Sequence, residues 1–138
     1  MVGIVIVTHG QFGDILIDTA ETIFDTRLEA LTAVSIDLKE HVETLRKKIN
    51  NGIKAVNQND GILIMTDMFG GTPSNLSYSF LEEGKIEVIS GVNLPMLIKA
   101  VNLRKKENDL HSMGKTIEAY GKRSISLASE LVKGNKRG

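Results

Sequence analysis

A chain of 138 residues suits one domain built around one buried core. Its apolar share of 41% and charged share of 25% are ordinary for a globular protein, and 17 basic residues balanced by 17 acidic ones leave none of the basic excess that nucleic-acid phosphates select. No cysteine is present, which excludes disulfides, thiolate zinc sites and cysteine nucleophiles.

Val2 to Thr8 is a β-branched apolar run that ends at His9-Gly10. It reads as a strand buried on both faces, as in a parallel sheet. It has no basic leader region and is too short for a signal peptide or membrane span, so a cytoplasmic protein is expected. Phe12 to Phe24 spaces Phe12, Ile15, Leu16, Thr19 and Ile23 for one face of a first helix. Leu31 to Leu38 reads as a second strand. Glu40 to Val56 reads as a second amphipathic helix, with Val42, Leu45, Ile49, Ile53 and Val56 inward and Gly52 weakening its middle. Gly61 to Asp67 is a third buried strand, and it ends on an acid. After the segment MFGGTPSN, Thr72 as a hydroxyl cap and Pro73 in the first turn predict a third helix.

Lys85 to Ser90 is the fourth predicted strand. A helix from Leu94 to Arg104 follows, capped by Asn93 with Pro95 in its first turn. Asp109 to Tyr120 predicts another helix, with Leu110, Met113, Ile117 and Tyr120 on one face. RSISLASEL at 123–131 alternates in part, and Ile125 and Leu127 fall in phase, so a short last strand is expected, with helix as the alternative. Arg104, Lys105 and Lys106 read as a solvated helix end. One domain over residues 1–131 is expected, followed by a basic tail at 132–138 that carries Lys133, Lys136 and Arg137.

This order of elements implies an α/β fold: a mostly parallel, doubly wound sheet in the order 2-1-3-4 with helices on both faces. Such sheets bind ligands beyond the carboxyl ends of their strands, where the winding direction switches. His9 and Asp67 end strands 1 and 3, so the topology brings them to the same edge.

A neutral imidazole is a competent nucleophile. It works best when a carboxylate fixes one ring nitrogen and leaves the lone pair of the other free. Asp67 is the candidate partner. The bland alternative is that His9 only terminates a strand. In the segment Gly70-Gly71-Thr72-Pro73-Ser74-Asn75, two glycines allow close backbone approach, the helix start offers N–H groups, and Thr72 and Ser74 add hydroxyls. A phosphoryl group in transfer suits such a loop, although a plain strand-to-helix turn would look similar. Neither the P-loop pattern nor G-x-G-x-x-G occurs, so the phosphoryl donor is not a nucleotide in a standard cradle. His41 and His111 read as surface histidines, and Asp14 and Asp18 as part of a solvated helix face. No metal site and no cofactor are expected.

Taken together, GIVIVTHG at 3–10, TDMFGGTPSN at 66–75 and SGVNLPML at 90–97 resemble the enzyme IIA component of the mannose/fructose/sorbose type in the bacterial phosphoenolpyruvate-dependent sugar phosphotransferase system. The resemblance implies a phosphocarrier in which His9 is phosphorylated, Asp67 is its hydrogen-bonding partner, and Phe69, Gly70, Gly71, Thr72 and Ser74 line the phosphate. It implies phosphorylated HPr as donor, a histidine of a IIB protein as acceptor, and membrane IIC and IID components beyond. It also implies a homodimer whose last, antiparallel strand is exchanged between subunits, at RSISLASEL. Some relatives continue into a IIB domain. Here the chain stops at Gly138, and a free-standing IIA is expected. The rival readings are the phosphotransfer subunit of a dihydroxyacetone kinase system, a regulatory protein governed by phosphorylation of the same histidine, and a flavodoxin-shaped small-molecule binder.

Overall fold

The computed structural model describes residues 1–137, with side chains as far as Lys133. Four strands, β1 (Gly3–His9), β2 (Leu31–Ile36), β3 (Ile62–Thr66) and β4 (Ile86–Ser90), form one parallel sheet in the order β2-β1-β3-β4. Six helices accompany it: α1 (Phe12–Phe24), α2 (Val42–Val56), α3 (Thr72–Tyr78), α4 (Leu94–Leu103), α5 (Leu110–Arg123) and α6 (Ala128–Arg137).

The expected strand order is the observed one, and the reason lies in β1. Its residues are inaccessible from Val2 to Thr8, because alternate side chains enter two different cores. Ile4 and Ile6, with Leu63 and Met65 of β3, pack against Leu16 and Ala20 of α1, Met96, Leu97, Ala100 and Val101 of α4, and Leu110, Met113 and Ile117 of α5. Val5 and Val7, with Ile62 and Ile64, face Leu45, Ile49, Ile53 and Val56 of α2 and Leu76 of α3. Right-handed crossovers require this split. The β1-to-β2 connection runs one way along the sheet and the later ones run the other way, so α1 and α2 cover opposite faces. The switch falls between β1 and β3.

The structure corrects several expectations. RSISLASEL forms no strand: residues from Ile125 to Lys133 are exposed, and α6 begins at Ala128. Two phased apolar residues are too few to hold a strand, whereas Ala128, Glu130 and Leu131 are strong helix formers and the backbone N–H of Leu131 donates to the Leu127 carbonyl. The short antiparallel strand is therefore absent. Among the described residues, the outer edge of β4 meets only a single bridge between Glu82 and Ile86. The inward face of α1 is also narrower than expected. Gly13, Leu16 and Ala20 are its buried residues, while Phe12, Ile15 and Ile23 are exposed. Small residues let this helix lie close to the sheet; a Cβ on Gly13 would stand 3.2 Å from Ile6 Cγ2. Helix α2 begins at Val42, with His41 as its cap position, two residues later than expected. Finally, the cap of α3 is Gly71, and Thr72 is the first helical residue. Asn93 does cap α4, its Oδ1 accepting the Met96 N–H at 2.9 Å.

At the amino end of the sheet, buried Arg104 donates to the carbonyls of Val2 (3.3 Å), Ala30 (3.0 Å) and Glu29 (2.5 Å). It is thus no solvated helix end: it ties the starts of β1 and β2 to the end of α4. No helix among the described residues is long and apolar enough to cross a membrane. Of the expected tail, Gly138 and the side chains beyond Lys133 lie outside the described residues.

Candidate functional site

Val7 is registered with Thr66 between β1 and β3. His9 and Asp67 therefore leave adjacent strands at the same end of the sheet, at the switch point. The Asp67 carboxylate reaches across that gap. Its Oδ2 accepts the His9 backbone N–H at 2.8 Å and lies 2.7 Å from His9 Nδ1, and its Oδ1 accepts the Met68 N–H at 2.9 Å. A carboxylate oxygen can only accept here, so in the neutral ring Nδ1 carries the proton and Nε2 keeps its lone pair. The Asp67 side chain is 12% exposed and that of His9 is 39% exposed. The orienting group is shielded from water while the ring stays open to a partner.

The glycine-rich segment lies against the ring. Gly70 has φ 88°, a left-handed turn that favours glycine. Gly71 is extended, and glycine is needed there for a different reason: a Cβ on it would stand 3.1 Å from His9 Cε1 and 3.7 Å from Nε2. The loop thus borders the ring edge that bears the free lone pair, and Thr72 opens α3 next to it. Phe69 is strongly exposed at 79%, and Phe12 and Met68 are exposed as well. Apolar side chains beside an open histidine suit a protein surface as partner. Two surface grooves, of about 490 Å³ beside β4 and about 890 Å³ at the amino end of the sheet, are not lined by His9.

Ser74, expected to face phosphate, is fully buried. Its hydroxyl donates to the Met68 carbonyl and meets Thr66 Oγ1 at 2.5 Å and Ser90 Oγ at 2.9 Å. Thr66 donates to Ser90 at 2.9 Å, and the Tyr78 hydroxyl lies 2.6 Å from Ser90 Oγ. A second hydroxyl, that of Thr8, donates to the His9 carbonyl at 3.1 Å and accepts the Gly13 N–H at 2.9 Å, which ties the start of α1 to β1. None of Thr8, Thr66, Tyr78 or Ser90 stood out from sequence. The available signal was a hydroxyl residue at or next to the carboxyl end of three strands.

The remaining polar candidates lie elsewhere. His41 sits at the start of α2, and His111 is exposed on α5 with Nδ1 3.5 Å from Glu87 Oε2. Asp14 accepts a hydrogen bond from the Ser35 hydroxyl at 3.2 Å. Among the described residues, no group of three or more His, Asp or Glu is placed to hold a metal ion.

Comparison with known proteins identifies the family. The chain is 30% identical over 131 residues to the fructose-specific EIIA component of the PTS system of Bacillus subtilis (strain 168), covering 94% of this chain and 88% of that protein. It is 34% identical over 104 residues to the mannose-specific EIIAB component of Escherichia coli (strain K12), covering 75% of this chain but 32% of that longer protein. The crystal structure of the phosphotransferase system component EIIA from Streptococcus agalactiae superposes with a TM-score of 0.83 at 27% identity, covering 94% of this chain and 99% of that one. Residues 3–118 match the family described as the PTS system fructose IIA component, EIIA-man. The chain belongs to that family of phosphotransferase-system IIA components.

Proposed function

We propose that the protein carries a phosphoryl group on Nε2 of His9, taking it from the phosphohistidine of HPr and passing it to a histidine of a IIB protein. The observation that carries this reading is the 2.7 Å contact between His9 Nδ1 and Asp67 Oδ2, with Gly71 lying against the Cε1–Nε2 edge of the ring.

In the forward step the Nε2 lone pair attacks the phosphorus of the donor phosphohistidine. The donor N–P bond breaks as the new one forms, and the donor imidazole leaves neutral. The His9 ring, already protonated at Nδ1, becomes formally cationic on phosphorylation. The Asp67 carboxylate then faces that charge at hydrogen-bond distance. Transfer to IIB reverses the sequence and returns His9 to its neutral form. No proton moves in either direction, so the site needs no general acid or base. Phe69, Gly70, Gly71 and Thr72 would border the phosphoryl oxygens, with backbone N–H groups near the start of α3 as donors.

Phe12, Met68 and Phe69, each exposed and close in the chain to His9 or Asp67, fit two successive protein partners better than a small molecule. The protein would act in the cytoplasm, and sugar choice would reside in the IIC and IID membrane components downstream of IIB. Exposed Ile125, Leu127, Leu131 and Val132 support a homodimer.

The test is to mix the chain with phosphoenolpyruvate, enzyme I and HPr and measure its intact mass. One acid-labile phosphoryl group per chain is expected, and none in His9→Ala. A group that survives acid, or that persists in His9→Ala, would sink the proposal.

A further inference from the structure

The hydroxyls beneath the loop have no part in the transfer chemistry itself, yet they hold the neighbours of the residue that orients His9. Asp67 lies between Thr66, whose hydroxyl belongs to the cluster, and Met68, whose carbonyl accepts from Ser74. The other end of Met68 is held too, because its N–H donates to Asp67 Oδ1. Both flanks of Asp67 are therefore tied to Ser74 and through it to Ser90 at the end of β4.

Proton bookkeeping gives the cluster a direction. Each of its four hydroxyls has one hydrogen to donate. Ser74 donates to the Met68 carbonyl, so the one hydrogen of Thr66 is shared between Ser74 at 2.5 Å and Ser90 at 2.9 Å. The 2.6 Å contact then takes the Tyr78 hydrogen to Ser90, and the 2.9 Å contact takes the Ser90 hydrogen to Ser74. Every hydrogen is used, and the series ends on Met68 O. A polarised series of this kind is stronger than its separate links. Thr66 and Ser74 have no solvent access, so water cannot replace either of these two hydroxyls.

We propose that Ser74 is a positioning residue: through the hydroxyl series Tyr78–Ser90–Ser74, with Thr66 joined to Ser90, it fixes the peptide after Asp67 and so holds the His9 imidazole in the tautomer that exposes the Nε2 lone pair. This rests on His9 as the phosphorylated residue, and it gives Ser74 a role distinct from contacting phosphate. A residue that only touched phosphate would leave the resting ring unchanged when removed. Ser74 instead governs the ring before any phosphoryl group arrives.

Ser77 supplies the control. It lies on the same short helix, is equally buried, and its hydroxyl has no hydrogen-bond partner. Ser77→Ala deletes the same atom without touching the series.

The experiment uses the full chain labelled with ¹⁵N, at a pH where the ring is neutral. Two-bond ¹H–¹⁵N spectra report the His9 tautomer, with His9→Ala identifying the signals. The parent and Ser77→Ala are expected to show the Nδ1–H form. Ser74→Ala is expected to show a mixture of both forms and phosphoryl uptake from phospho-HPr slowed about tenfold. Ser74→Thr keeps the donor and should restore the parental spectrum. A parental tautomer in Ser74→Ala, or an equal change in Ser77→Ala, overturns the proposal. If Ser74→Ala fails to fold, Tyr78→Phe decides: it removes the half-exposed end of the series, and a smaller change in the same direction supports the role while an unchanged spectrum refutes it. The tautomer is read without phosphate. If the parent takes up no phosphoryl group on His9, the carrier reading fails independently of the spectrum.

Discussion

Gly71→Ala separates folding from phosphoryl transfer. Gly71 has φ −89° and ψ 170°, an extended conformation that alanine adopts without strain. Alanine is a poorer cap than glycine, so the stability loss should be about 1 kcal/mol or less. The effect on the site is larger. The added methyl would stand 3.1 Å from His9 Cε1, against an ordinary carbon–carbon contact of about 3.5 Å or more. The ring or the loop must therefore yield by roughly 0.4 Å. The ring cannot give freely, because its Nδ1 is 2.7 Å from Asp67 Oδ2. If a 1 Å misplacement costs about a hundredfold, this shift should slow transfer about five- to tenfold. Rapid-quench measurement of phosphoryl uptake from phospho-HPr gives the rate, and thermal unfolding gives the stability. Uptake within about twofold of the parent would refute the claim that Gly71 is glycine because of the ring. Gly70→Ala is the contrasting variant: at φ 88° it should lose about 1 kcal/mol or more to backbone strain, and no ring contact accounts for its absent Cβ.

Asp67→Asn should slow phosphoryl uptake about a hundredfold or more with the fold retained, because an amide can donate to Nδ1 and so favour the wrong tautomer; unchanged single-turnover kinetics would remove Asp67 from the mechanism. Arg104→Leu leaves the carbonyls of Val2, Glu29 and Ala30 without their shared donor, and urea unfolding should register a loss of about 2–4 kcal/mol with His9 chemistry unchanged in the folded protein. The Ser112 hydroxyl holds the Asp109 carboxyl below its ordinary value. A depressed acid contributes stability above its unfolded range and loses it as pH falls through the folded value, so melting curves should show the parent's small advantage over Asp109→Asn near neutral pH disappearing in strong acid. Light scattering should give twice the chain mass for the parent and a single chain mass for the Leu127→Asp, Leu131→Asp double variant; identical masses would remove the C-terminal apolar row from the dimer.

What could be read from the sequence follows the range of the forces involved. The apolar runs that become β1 and β3 carry their burial in composition alone, and the right-handed crossover rule orders the four strands without any side-chain detail. That sufficed to place His9 beside Asp67. The end of the chain resisted the same reasoning because Ile125 and Leu127 alternate over too short a span, and a helix satisfies the same residues locally. The exposure of Phe12, Ile15 and Ile23 was hidden for another reason. Apolar spacing marks two candidate faces of α1, and Gly13 and Ala20 decide between them by how near the sheet they let the helix come. Ser74 was legible as a hydroxyl in a promising loop. Which way it pointed depended on Ser90 and Thr66, partners that register with one another across β3 and β4 but lie far apart in the chain.

Two levels of precision then meet at His9. The parallel register of β1 and β3 sets where the His9 and Asp67 backbones lie, and it is enforced by two buried cores whose loss would unfold the protein. The ring orientation is set by a few hydrogen bonds and one absent methyl group, whose loss should leave the fold standing. A group that must be attacked by one protein and then attack another cannot be enclosed, so His9 stays partly open and exposed apolar side chains flank it. Its orientation must then come from the protected side, where Asp67 is 12% exposed and the hydroxyls of Thr66 and Ser74 behind it are buried. Variants behind the ring should therefore act on transfer to and from both partners alike, since they change the nucleophile and leaving group common to both steps. Variants at Phe12 or Phe69 should instead be able to separate the two steps, because each partner meets that surface with its own contacts.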